Sequence, residues 1–353
     1  MADYIDAFPG RKITLNNRPY LYFGGTSYLG LQTDIEFQDI LIKNIKKYGT
    51  NYGASRQSNI RFSIYGKAEN YLSELSKSEA CITLSSGYLA GQFVCHYFST
   101  REYKFFYAPN AHSALYQSKI KPYTTFTTLN IAVREHIASS DRAIPVVFMD
   151  SIDFSGSNYP HFEGLRALPL DKIILVVDDS HGIGVIGSDG SGVYDALVAL
   201  QPKELIVCCS LGKGFGIQAG AVFGSKKRMA TLTKTAFFGG ASPASPASMA
   251  TLIDGDRIYA KKRKQLGNHI HLFLSSLNAP EKFSFMENHP AFSYSDHHLV
   301  DHLKESYIIT THFNYPNEDS SLMNRIVLSA AHTKDDIEYL ARTINSHYLN
   351  YEI

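Results

Sequence analysis

Between residues 66 and 224, short apolar runs alternate with turn-rich or amphipathic segments: ACITL (80–84), KFFY (104–107), IPVVFM (144–149), KIILVV (172–177), ELIVCC (204–209) and AGAVFG (219–224). Unbroken apolar runs of this length predict strands buried on both faces, and their alternation with helical stretches predicts an α/β fold around a largely parallel sheet. Helices fill the gaps. Ala68, Tyr71, Leu72 and Leu75 recur at helical spacing, and SGYLAGQFVCHYF, from Ser86 onward, reads as a helix that begins directly after a strand. Beyond residue 245 the pattern turns to longer helices, among them HHLVDHLK behind a capping Asp296 and KDDIEYLARTI behind Thr333. The organisation expected is an N-terminal segment (1–40), a large domain (41–240) and a smaller α+β C-terminal domain (241–353), with SPASPAS (242–248) as a hinge. The strand and turn of YLYFGGTSYLGL (20–31) fit either lobe.

In a parallel α/β sheet, ligands bind beyond the carboxyl ends of the strands. The residues there are Ser85-Ser86-Gly87-Tyr88, Ala111-His112-Ser113, Phe154-Ser155-Gly156, Asp178-Asp179-Ser180-His181-Gly182 and Ser210-Leu211-Gly212-Lys213. Each alone has a plain structural explanation: SSG as a helix cap, His112 as a packing residue, the aspartates as caps, Lys213 as a solvated loop residue. Together they supply a lysine for a Schiff base, an acid for a pyridinium nitrogen and donors for a phosphate, which is what pyridoxal phosphate requires. Asp178 is the candidate acid, because a nearby negative charge favours the protonated ring. Gly87 and Tyr88 amides at a helix N-terminus, with Ser86 and the Ser210 hydroxyl, suit the phosphate.

Two other motifs lead elsewhere. Gly182-Ile183-Gly184-Val185-Ile186-Gly187 has the GxGxxG form of a dinucleotide loop, but DDSH separates it from its strand and SDGSGVYD continues as a turn. His298 and His302 lie four apart without the glutamate or third ligand of a zinc site, so no metal is expected.

With 353 residues, 44% hydrophobic, the chain can bury a large core. Its 34 basic and 33 acidic residues balance to +1, so nothing in the charge favours nucleic acid or an anionic membrane as partner. Cys81, Cys95, Cys208 and Cys209 show no CxxC spacing and read as reduced thiols of a cytoplasmic protein. No apolar run approaches the ~18 residues of a membrane span, and the N-terminus carries no signal-type segment.

The stretches SYLGL (27–31), YGTNYGASR (48–56), SSGYLA (85–90), NAHSAL (110–115), VVDDSHGIGVIGSDGSG (176–192), SLGKGFGIQAGAVFG (210–224) and RIVLSAAHTKDDI (325–337) resemble the α-oxoamine synthase family of fold-type I pyridoxal phosphate enzymes. The resemblance implies a mostly parallel, seven-stranded type of sheet between helices, in a homodimer with the active site at the subunit interface. It implies that Lys213 is the covalent attachment point, that Asp178 pairs with the pyridine nitrogen, that His112 stacks on the ring and that His181 bonds its phenolic oxygen. Ser210, Gly87, Tyr88 and Ser155 would hold the phosphate, and Arg325 the substrate carboxylate. The implied reaction joins an amino acid to an acyl-CoA or other acyl thioester with loss of carbon dioxide. An aminotransferase or aldolase of the same fold, and a non-catalytic partner subunit, are the alternatives. The chain departs from the family at Thr26, at NYGASR, at Tyr65 in place of a histidine and at Gly239-Gly240 in place of a Ser-Thr pair.

Overall fold

A computed structural model describes residues 4–116, 121–154, 156, 158–315, 318–320 and 322–349. Its strands are β1 (Lys12–Leu15), β2 (Arg18–Phe23), β3 (Ala80–Leu84), β4 (Tyr103–Tyr107), β5 (Ile144–Asp150), β6 (Ile174–Asp178), β7 (Glu204–Ser210), β8 (Gly220–Gly224), β9 (Ser284–Phe285), β10 (Ala291–Ser293), β11 (Ile308–Asn314) and β12 (Leu322–Val327). Two compact units result, one of Asp39–Asp153 with Ser157–Asp256, the other of Met1–Gln38, Phe154–Gly156 and Arg257–Ile353. SPASPAS lies inside the first, where Ser245 precedes the helix Pro246–Asp254.

The first unit is built on a sheet of six strands among the described residues, in the order β3-β8-β7-β6-β5-β4. Strands β4 to β7 are mutually parallel, whereas β8 runs antiparallel to both β3 and β7. One reversed strand thus sits between forward ones, and the carboxyl ends of β3, β5, β6 and β7 share one edge. The apolar runs are continuous because both faces are covered: every residue of β6 is buried, as are the five central residues of β5. The helix Gly87–Phe98 turns Ala90, Phe93, Val94 and Phe98 onto this sheet, where they join Val176, Ile206 and Val222 in one core. Burial of each phenylalanine there stabilises the fold by about 1.5–3 kcal/mol. Cys81, Cys95, Cys208 and Cys209 are all buried free thiols.

The second unit contains a sheet in the order β1-β2-β11-β12-β10-β9. It is antiparallel except where β2 lies parallel to β11, with Leu21 opposite Ile308 and Phe23 opposite Thr310. This pairing assigns YLYF to the unit formed mostly by the C-terminal part of the chain. Arg11 reinforces the arrangement through its ion pair with Asp336, near the start of the helix Lys334–Leu349. Asp296 caps His297–Glu305 by accepting from the amides of His298 and Leu299 at 2.9 and 3.3 Å. His302 turns its Nε2 toward the Thr343 carbonyl at 3.1 Å. Among the described residues, no helix is long and apolar enough to cross a membrane.

Candidate active site

Lys213 occupies the single helical turn Leu211–Gly214 that succeeds β7. Its flanking glycine Gly214 has a steric cause: a Cβ there would lie 2.1 Å from the carbonyl oxygen of Ile183. The neighbouring Gly184, at φ +82°, would bring a Cβ within 3.0 Å of the Gly214 Cα. Glycines of the GxGxxG stretch therefore let two backbones touch, and the chain runs on into the short turn Ser188–Gly190 instead of a phosphate-binding helix. Within this packed turn the Nζ of Lys213 comes 2.7 Å from Nε2 of His181.

Asp178 closes β6 and is 8% exposed. Its Oδ1 accepts the amide of Ser180 at 2.9 Å, which tightens the turn leading to His181. The adjacent Asp179 points into the protein, taking the Ser151 hydroxyl at 2.6 Å and the Val193 amide at 3.1 Å. Burial pushes the Asp179 carboxyl up to about 7. Asp178 and Asp179 thus have separate roles: one lies at the strand edge, the other braces the loop.

A third acid stands beside them. Asp150 ends β5 directly opposite Asp178 in the parallel register, and its Oδ1 accepts the backbone N–H of His112 at 2.9 Å. Burial, with the like charge of Asp178, drives the Asp150 carboxyl well above the usual range. Sequence reasoning passed over Asp150 for the residues farther along the loop. The available signal was an acid placed immediately at the end of the apolar run IPVVFM. His112 itself receives the Ala114 amide on Nδ1 at 3.1 Å. Burial lowers its imidazole below the ordinary range, with Asp178 opposing and Lys213 adding to the shift.

Ser86 caps the helix Gly87–Phe98, its Oγ accepting the Leu89 amide at 3.1 Å. The first intrahelical bond runs from Ala90 N–H to the Ser86 carbonyl, so the Gly87 and Tyr88 amides precede the helical ladder. Gly87 is required here because a Cβ would fall 2.5 Å from the Ser210 Cβ. That close approach sets the helix N-terminus against Ser210, whose own amide is held by Ser180 Oγ at 2.8 Å. The Tyr88 side chain is 59% exposed. A helix end, a serine, a lysine and an acid on one sheet edge are a donor set that fits pyridoxal phosphate. Ser155 lies outside the described residues.

In the other unit, Arg325 of β12 lays its guanidinium 3.4 Å from the ring centroid of Phe154. Its buried Nε has no hydrogen-bond partner among the described residues, and burial lowers its pKa. An arginine faced by an aromatic ring in place of an acid is suited to receive a carboxylate. Two departures from the family pattern are also resolved. Tyr65 is buried and donates its hydroxyl to the Ala244 carbonyl at 2.8 Å. Gly239 offers its carbonyl to Ser55 Oγ at 2.5 Å, so the NYGASR loop is tied to the first glycine of the pair.

Residues 155–344 match the family model described as Aminotransferase class I and II. An 8-amino-7-oxononanoate synthase of Thermosipho melanesiensis is 24% identical, the match covering 94% of this chain and 88% of the relative. One from Aliivibrio fischeri is 25% identical over 94% of this chain and 90% of its own length. Among solved structures, serine palmitoyltransferase of Sphingomonas wittichii superposes with a TM-score of 0.81 at 16% identity, covering 98% of this chain and 91% of that one. The 8-amino-7-oxononanoate synthase of Francisella tularensis gives 0.70 at 19% identity, covering 95% and 99%.

Proposed function

As this chain belongs to the aminotransferase class I and II family and is a pyridoxal phosphate-dependent transferase of the α-oxoamine synthase group, we propose that it condenses an amino acid with an acyl thioester, acyl-CoA in the first instance. Carbon dioxide and the free thiol leave, and an α-aminoketone is formed, as in an 8-amino-7-oxononanoate synthase. The reading rests on the gathering of Lys213, His181, Asp178 and His112 at one sheet edge beside the Gly87 and Tyr88 amides.

Pyridoxal phosphate supplies an aldehyde for amine capture and a ring that accepts the electrons of a carbanion. Lys213 would hold it covalently, Ser86, Gly87, Tyr88 and Ser210 would bind its phosphate, and Asp178 would keep a proton on its pyridine nitrogen. His112 would pack on the ring face, and His181 would bond the phenolic oxygen. The Lys213 amine would take the α-proton of the substrate, and His112 or Lys213 would return a proton at the end. Arg325 receives the substrate carboxylate in a bidentate pair. A second copy of the chain completes the active site at the subunit interface.

Purified protein supplied with pyridoxal phosphate, a panel of amino acids and acyl-CoA should release carbon dioxide and coenzyme A thiol in equal amounts. Lys213→Ala should abolish both, together with borohydride-reducible attachment of the cofactor. Turnover with keto acids and none with acyl-CoA would move the assignment to an aminotransferase. A protein that takes up no pyridoxal phosphate would identify a non-catalytic partner subunit.

A further inference from the structure

Asp150 holds a position that the proposed chemistry leaves unused. It is set beside Asp178 by strand register, where a second carboxylate adds repulsion in a site of low polarisability. Among the described residues its hydrogen bond is with the backbone of His112: Oδ1 accepts that N–H at 2.9 Å. The loop leading to His112 first continues the β4–β5 pairing, with Ala108 N–H on the Phe148 carbonyl at 2.8 Å, and then turns at Asn110, in the left-handed region at φ 60°. His112 is therefore held at its N–H by Asp150, at Nδ1 by the Ala114 amide and at its carbonyl by the Leu115 N–H, 2.9 Å away.

We propose that Asp150 is a positioning residue for His112, fixing from the end of β5 the backbone that presents the imidazole to the cofactor ring. This rests on the reading that the sheet edge takes pyridoxal phosphate. The acceptor needed is one oxygen at one point in space. Burial and Asp178 favour the neutral acid at this position, and its carbonyl oxygen is a feature that an asparagine reproduces.

The test is a double-mutant cycle read by titrating apoprotein with pyridoxal phosphate and monitoring the cofactor's absorbance. Asp150→Ala should weaken binding about tenfold, the scale of one lost hydrogen bond with its unpaired donor. Asp150→Asn should stay within about threefold of the wild type, and Asp150→Ala placed on His112→Ala should add nothing. Equal losses in both backgrounds, or wild-type binding by Asp150→Ala, would overturn the proposal. Should Asp150→Ala fail to fold, Asp150→Glu serves, since one added methylene displaces the acceptor. It should then bind like the alanine variant, and wild-type binding by it would overturn the proposal equally. A wild-type protein that takes up no cofactor overturns the underlying reading as well, whereas uptake indifferent to Asp150 overturns this inference alone.

Discussion

Lys213 Nζ stands 2.7 Å from His181 Nε2, across the contact between the turn after β7 and the loop after β6. A lysine ammonium can only donate, so with Lys213 charged it is Nε2 that accepts. Removing this partner in His181→Ala should weaken cofactor uptake and lower kcat by about tenfold each, the scale of one lost hydrogen bond. Absorbance titration and initial rates on the same preparations separate the two effects.

Gly214→Ala should be destabilising although alanine is the better helix former. Its Cβ would meet the Ile183 carbonyl at 2.1 Å, and a forced backbone shift of that kind costs about 1–3 kcal/mol. Chemical denaturation would show a lowered midpoint. Because the shift moves the loop bearing His181, the variant should also hold cofactor less tightly.

Arg325→Lys tests the carboxylate assignment. A lysine keeps the charge but loses both the planar fork and the stacking on Phe154. KM for the amino acid should rise about 10- to 100-fold, the cost of a lost charged hydrogen bond, with kcat changed much less. A kcat loss at constant KM would remove Arg325 from substrate binding.

His332 links the second unit to pH. It is buried against Phe23 with ring centroids 4.1 Å apart. Nδ1 accepts the Ser329 amide at 3.0 Å and Nε2 donates to the Tyr22 carbonyl at 3.1 Å. Burial lowers its pKa from 6.5 to about 4. A depressed folded-state pKa means that the stability contributed is present above 6.5 and is lost as pH falls through the folded value. Wild-type protein should therefore lose about 3 kcal/mol between about pH 6.5 and about pH 4 that His332→Gln does not lose. Parallel denaturation curves for the two proteins across this window would refute the assignment.

The local pattern was sufficient for the α/β class, the strand positions and the residues at the strand ends, because burial on both faces writes each parallel strand as an unbroken apolar run. Lys213, Asp178, His181 and His112 were legible for the same reason: each comes soon after such a run. Pairing and register were decided only by the tertiary structure, since hydrogen bonds between strands join residues far apart in the chain and leave no periodic trace. That is why the reversal of β8, the partnership of β2 with β11 and the placement of Asp150 beside Asp178 emerged from the fold. The glycines around Lys213 show the same division. Their composition suggested a loop or a dinucleotide motif, and only the contact of Gly214 with Ile183 revealed that they allow two backbones to meet.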